Sequence, residues 1–327
     1  MRLLKVELRR LFSRRLVIAA MLAGLVGAGL VLFGFFQTSQ PMSETEREQA
    51  EQYWQQARAD WEQHGEENIA QCLEQEEAES ERAGEDLDFG CDQMAPQREH
   101  FFFESPPLEE TLPRLLSSSA PIYLLVGFFV GGTFTAAAAS TGALGTWLTF
   151  EPRRTRVYAS KVLAAGLGIL PAAAVLLGVV VGGAWLIGTG FDTAGGMTAE
   201  HWESVAWTAL RLLALTGVTA ALGAVLGLLL RHTAAVLGAV AGWGVAVEAI
   251  LGQQVDRLAP WILSTNIIGW INHGTTYDVR SCTTDAQGMM CEYEMVDLAF
   301  AHSAVYLGVV AVGLTVLGLL VFRRRDL

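Results

Sequence analysis

Six long apolar runs divide the chain, and their lengths decide the class of protein before any single residue is considered. Leu16 to Phe36 is 21 residues without a charge. At about 1.5 Å per residue it matches the ~30 Å hydrocarbon core of a bilayer. The others are Leu115 to Phe150, Val162 to Phe191, Leu212 to Leu230, Thr233 to Val247 and Ser303 to Phe322. The fifth reaches spanning length only by taking in Glu248 to Leu251. These runs predict transmembrane helices over 16–36, 119–141, 162–188, 205–230, 233–251 and 303–322. The first is too long for a signal-peptide core, and Gln37, Thr38 and Ser39 offer no small-x-small cleavage site, so it is expected to stay attached. The predicted fold class is an all-α polytopic membrane protein.

Lys and Arg set the expected orientation. Residues 1–15 carry six, the segment between the second and third spans carries Arg153, Arg154, Arg156 and Lys161, the turn between the fourth and fifth has Arg231, and the C-terminus has Arg323, Arg324 and Arg325. All fall on one face of a six-span path, which holds 14 basic and 3 acidic residues against 7 and 30 on the other. Both termini are therefore predicted to be cytoplasmic, with a short tail at 323–327, and the acidic loops extracellular.

The first outer loop, residues 37–118, has 21 Asp and Glu and 5 Arg. Ser43 to Glu81 is rich in Glu, Gln and Ala, which favours helix. Tyr53, Trp54, Ala57 and Trp61 recur at helical spacing. A helical hairpin is expected, ended by Pro106 and Pro107. Its acid reads either as a solvated face or as a surface for a cationic substrate or a partner. The second outer loop, 252–302, is unusually apolar around Trp261 and Trp270. It reads as a re-entrant or interfacial pair of short helices, or as a loop packed on the ectodomain. All four cysteines lie in these loops, two in each, which favours Cys72–Cys91 and Cys282–Cys291 disulfides in an oxidising compartment.

Composition then narrows the chemistry. The chain is 52% hydrophobic and 17% charged with a net charge of −12, which excludes disorder and argues against a nucleic-acid partner. No P-loop, H-E-x-x-H, G-x-S-x-G or C-x-x-C motif occurs, so no catalytic residue, metal or cofactor site is predicted in this chain. Three glycine pairs, Gly178/Gly182, Gly223/Gly227 and Gly238/Gly242, allow close helix approach. Only Arg211 and Glu248 are charges inside the spans. Counted back to the turn at Arg231, both lie about 24–30 Å from the cytoplasmic side. They make a candidate ion pair at the outer mouth, or two side chains that reach water separately.

Two cytoplasmic segments are more particular. Residues 2–15 are amphipathic, with Leu3, Leu4, Leu8, Leu11 and Phe12 on one side and Arg2, Lys5, Arg9 and Arg10 among the basic residues. Such a segment suits a membrane interface beside lipid headgroups, or is a plain positive flank. Residues 142–161 read GALGTWLTFEPRRTRVYASK, an acid, a proline and three arginines between two spans. This stretch resembles the G-x-(L/M)-x-x-x-L-T-x-E-P-R-R-x-R-V-x-x-x-K signature of actinobacterial ABC-2-type transporter permeases. The two basic ends and the six spans are similar to that family as well. The resemblance covers the membrane part, about 245 residues; the long acidic insert is a departure from it.

The resemblance implies an export permease that hydrolyses no ATP itself. A separate P-loop ATPase subunit, with its ATP and Mg, would dock on the cytoplasmic face, and a second permease protomer would complete the path. Thr149 to Arg156 would be the coupling helix, with Pro152 at its start, Phe150 within it, and Glu151, Arg153 and Arg154 in charged contacts. Residues 2–15 would be the elbow helix, and the location would be the plasma membrane. The alternative reading is a membrane-anchored sensor or scaffold whose acidic ectodomain binds an extracellular partner.

Overall fold

The computed structural model describes residues 2–84, 86–103, 105–252, 256–285 and 288–324, with backbone alone for Arg2, Ala83, Leu148, 256–257, 281–285 and 288–292. Its helices are α1 (Arg2–Phe12), α2 (Arg15–Thr38), α3 (Glu44–Ala83), α4 (Leu108–Ser140), α5 (Ala143–Phe150), α6 (Arg154–Gly190), α7 (Ala199–Leu230), α8 (Thr233–Trp243), α9 (Leu263–Ile271) and α10 (Phe300–Arg324). Strands β1 (Gly274–Asp285) and β2 (Gly288–Ala299) form an antiparallel hairpin. The chain divides into two compact units, Met1–Phe36 with Pro107–Leu327, and Gln37–Pro106.

In the first unit α2, α4, α6, α7, the Thr233–Leu251 stretch and α10 are each long and apolar enough to cross a bilayer. The chain is a multi-pass membrane protein of mainly helical structure. The centre is built from α4, α6 and α7. Gly127 and Gly131 on α4 meet Thr216 and Ala220 of α7, Gly223 and Gly227 on α7 meet Gly132 of α4, and a Cβ at Gly131 or Gly223 would collide with the backbone carbonyl of Ala220 or Phe128. Missing side chains thus let the two backbones meet, and Thr135 Oγ1 donates across to Ala224 O at 2.8 Å. Of the three glycine pairs, only Gly223/Gly227 is used inside the chain; Gly178, Gly182, Gly238 and Gly242 face open space.

Three apolar clusters fill this unit. One gathers Leu108, Leu112, Leu116, Tyr123, Leu176, Val180 and Leu212, a second Leu11, Val17, Val130, Phe134, Ala164 and Ile169, and a third Leu144, Val157, Tyr158, Leu228 and Phe322. Leu108 to Leu116 already belong to α4, so the polar insert closes at Pro106 and not at residue 118. Pro113 falls in the second turn of α4, past the first-turn N–H groups that have no helical partner, so it removes one backbone hydrogen bond there.

The helix after α8 widens to π-type turns over Gly244–Leu251. A short 3₁₀ segment, Asp256–Trp261, then leads into α9. A 3₁₀ segment and one short helix thus stand where a pair of short helices is one expectation, and α9 packs on α7 and α10. The β-hairpin that follows departs from the all-helical expectation. Strand β1 holds four Thr, and each strand carries one Val and one Tyr, residues that favour a pleated surface. The register places Cys282 opposite Cys291; their side chains, and with them the second expected disulfide, lie outside the described residues.

The second unit is one 40-residue helix, α3, with a non-helical return. The expected helical hairpin is not what forms. Gly90, Pro96 and the prolines at 106 and 107 oppose a second long helix in the return, whose described residues hold single 3₁₀ turns at Cys91–Gln93 and Arg98–His100. Ser43 and Glu46 make a capping box at the start of α3, and left-handed Gly84 closes it. The return is fastened to α3 by the Cys72–Cys91 disulfide, by Arg98–Glu51 at 3.2 Å and by Trp54 edge-on to Phe101 at 5.6 Å.

Candidate functional site

The α4–α6 connection carries the motif singled out in the sequence. Gly142 takes φ 73°, a left-handed turn that reverses the chain out of α4. The short helix α5 follows, anchored by buried Leu144 in the third apolar cluster. It ends where Glu151 becomes extended (φ −128°, ψ 92°), because a following proline disfavours helical backbone. Arg153 is also non-helical, and α6 begins at Arg154. Thr149 to Arg156 is therefore not one helix. The helix precedes Glu151, and Pro152 sits in the link after it.

The side chains of this connection divide by surroundings. Phe150 is 82% exposed, an unusual state for a phenylalanine at the end of an ordered helix. Pro152, Arg153 and Arg156 are exposed beside it, and Glu151 is half-buried. Thr149 Oγ1 donates back to Thr146 O at 2.7 Å. Arg154 donates to the carbonyl of Arg323 at 3.2 Å, near the C-terminal end of α10, where a cation is favoured. One turn on, the Tyr158 hydroxyl donates to Thr315 O at 2.7 Å and its ring meets Phe322 at 5.7 Å. From the other side Arg10 of α1 lies over the Trp147 ring at 5.1 Å. The connection is thus braced by both ends of the chain.

α1 is docked on α6, and its apolar face covers protein. Leu11 is fully buried, and Leu8 and Leu11 press against Gly168. Lys5, Arg9 and Arg10 are on the exposed side; the Arg2 side chain lies outside the described residues. Sequence reasoning missed the main polar contact here. Glu7 and Lys161 are each 1% exposed, and Lys161 Nζ donates to Glu7 Oε1 at 3.1 Å and Oε2 at 3.2 Å. Lys161 also stands 5.3 Å from the centre of the Phe134 ring. Arg14 covers the same ring at 5.2 Å and donates to Thr133 O at 3.2 Å. Burial and its neighbour Arg10 hold the Arg14 pKa below the usual arginine value, although its charge persists at any ordinary pH. A signal for Glu7 was present: it falls four residues from both Leu3 and Leu11, inside the apolar stripe.

Arg211 and Glu248 do not pair with each other. Both hold α9 instead, at opposite ends. Glu248 accepts from the backbone N–H of Leu263 and Ser264, each at 3.1 Å, from Ser264 Oγ at 2.6 Å and from Trp243 Nε1 at 3.2 Å. It caps the N-terminus of α9. Arg211 donates to Ile271 O at 3.1 Å at the C-terminus, and Trp270 Nε1 donates to Arg211 O at 3.0 Å. A carboxylate at the start and a guanidinium at the end both complement the helix dipole. Phe300 completes the C-terminal side, stacked on Trp270 at 5.2 Å, with Arg211 5.9 Å above its ring. Ion-pair logic failed because residues 263–271 offered the two charges nearer, oppositely polarised partners.

Among the described residues no group of three or more His, Cys, Asp or Glu could hold a metal ion. Comparisons of the chain with protein-family models, curated proteins and solved structures return no match.

Proposed function

We propose that this chain is the membrane-spanning permease subunit of an ABC-2-type exporter. The observation that carries the reading is the α5–α6 connection. It presents an exposed phenylalanine, an acid and two exposed arginines at the basic end of the helix bundle. It is also braced by α1 through Arg10 and Trp147 and by α10 through Arg154. A partner that pushes on such a braced element moves the attached helices rather than bending a loop. In this reading the basic end is cytoplasmic, in the plasma membrane, and the acidic loops are extracellular. A P-loop ATPase subunit docks at Phe150 to Arg156 and supplies the ATP and Mg chemistry. Two permease protomers form the path, and α1 serves as the elbow helix that keeps the docking face aligned with α6.

The test is purification of the tagged full-length chain from its native membrane in mild detergent. A P-loop ATPase is expected to co-purify with the native chain. Glu151→Lys, which reverses the charge at the docking face, is expected to lower its recovery at least tenfold while leaving expression and membrane insertion intact. Recovery of the ATPase unchanged by the substitution would remove the docking assignment.

A further inference from the structure

The Gln37–Pro106 unit carries a groove that its own fold leaves open, and that the transport reading does not use. The groove is about 750 Å³ and runs beside α3. Its lining includes Ala50, Tyr53, Ala57 and Asp60 of α3 and His100 and Phe101 of the return. Phe101 is fixed by its contact with Trp54. Tyr53 is different: it stands 64% exposed at the rim with its ring face available. Asp60 touches His64 at 3.1 Å and is otherwise solvent-facing.

Charge and shape select the occupant. Between Gln37 and Pro106 there are 19 Asp and Glu against 4 Arg, a net of −15. That field repels anionic lipid headgroups and nucleic acid and draws in cations. A bare metal ion does not fit, since no metal-holding cluster occurs among the described residues. The lining from Ala50 to Gln63 extends over almost four helical turns, about 20 Å. A segment of about six extended residues has that length. Aromatic faces beside carboxylates are where Lys and Arg side chains gain both a cation–π contact and an ion pair. Ala50 and Ala57 add small apolar surface beside Tyr53 and Phe101, against which an apolar side chain can pack. We propose that this groove docks a basic peptide segment that carries an apolar or aromatic anchor, in the compartment the acidic unit faces.

The experiment uses the full-length chain in lipid nanodiscs without ATP, so it stands apart from the transport reading. The probe is a fluorescein-labelled Lys/Leu/Trp peptide, with a Glu/Leu/Trp peptide of the same length as control. Saturable binding of the Lys peptide, weakened by salt, is expected, with none of the Glu peptide. Tyr53→Ser with Asp60→Asn is expected to weaken binding at least tenfold. Glu74→Gln, the same charge change elsewhere on α3, is expected to stay within twofold. Absence of binding to the native chain would overturn the proposal. So would equal losses in the Tyr53/Asp60 and Glu74 variants, which would show a general charge effect with no groove. Because Tyr53 and Asp60 are exposed, their replacement leaves the fold intact, and the circular dichroism of each variant checks this.

Discussion

A few polar side chains in this protein sit where only a specific partner makes them tolerable. Glu7 and Lys161 are the clearest, each almost fully buried against the other. Removing one partner from such a pair strands a buried charge and costs about 3–5 kcal/mol, whereas replacing both by apolar residues is often neutral. Lys161→Met is therefore expected to lower the detergent-state melting temperature and to release α1, seen as faster amide exchange over residues 2–12. Adding Glu7→Leu to Lys161→Met is expected to restore most of the loss. A double variant as unstable as the single would show that the pair is not what holds α1. At the start of α3, hydrogen bonds from the Ser43 hydroxyl and backbone hold the Glu46 carboxyl below its usual range. A depressed carboxylate stabilises above its unfolded pKa and loses that contribution as pH falls through the folded one. The difference in thermal stability between the native chain and Ser43→Ala should thus be present at pH 7 and shrink below about pH 4; a difference constant with pH would exclude the Glu46 half of the cap.

Elements were legible from the sequence to the extent that one face or one length decided them. The six spans followed from apolar run length alone, which is why their existence was readable while their ends were not: α4 starts at Leu108 because Leu108, Leu112 and Leu116 continue its buried face, a periodicity that a hydropathy window cannot see. The α5–α6 link was placed by analogy and came out shifted. The rule that a residue before proline avoids helix would have ended α5 at Phe150. The β-hairpin was missed because residues 252–302 were judged by apolarity and not by their Thr, Tyr and Val content. The partners of Arg211 and Glu248 were not legible, since they are backbone groups at the ends of a nine-residue helix. That arrangement yields a prediction at the element scale. Glu248→Ala leaves the N–H groups of Leu263 and Ser264 without their acceptor. Amide exchange over 263–271 is expected to speed up by an order of magnitude, with little change in α4, α6 or α7. Uniform acceleration throughout the chain would mean that Glu248 supports the whole bundle and not α9.

For the molecule as a whole, the net charge of −12 describes no surface that a partner meets. One end of the bundle gathers the basic segments around α1, the α5–α6 link and the end of α10, while the acid is concentrated in a separately compact unit. Two surfaces of opposite sign suit two kinds of partner, the proposed ATP-hydrolysing subunit at the first and the proposed basic peptide at the second. The separateness of the acidic unit also predicts that joining residues 42 and 105 by a short linker leaves the membrane part folded and inserted; loss of insertion would make the insert structural.

The central claim, that the α5–α6 link seats an ATPase subunit, is tested most directly by a photo-cross-linker carried on a cysteine at position 150. Phe150→Cys places the probe at a position 82% exposed where α5 meets the link. In native membranes the expected product is a cross-link to a P-loop ATPase, lost when Glu151→Lys is added. A probe that reacts only with lipid, or that a membrane-impermeant reagent reaches from the same side as the acidic unit, would contradict the account.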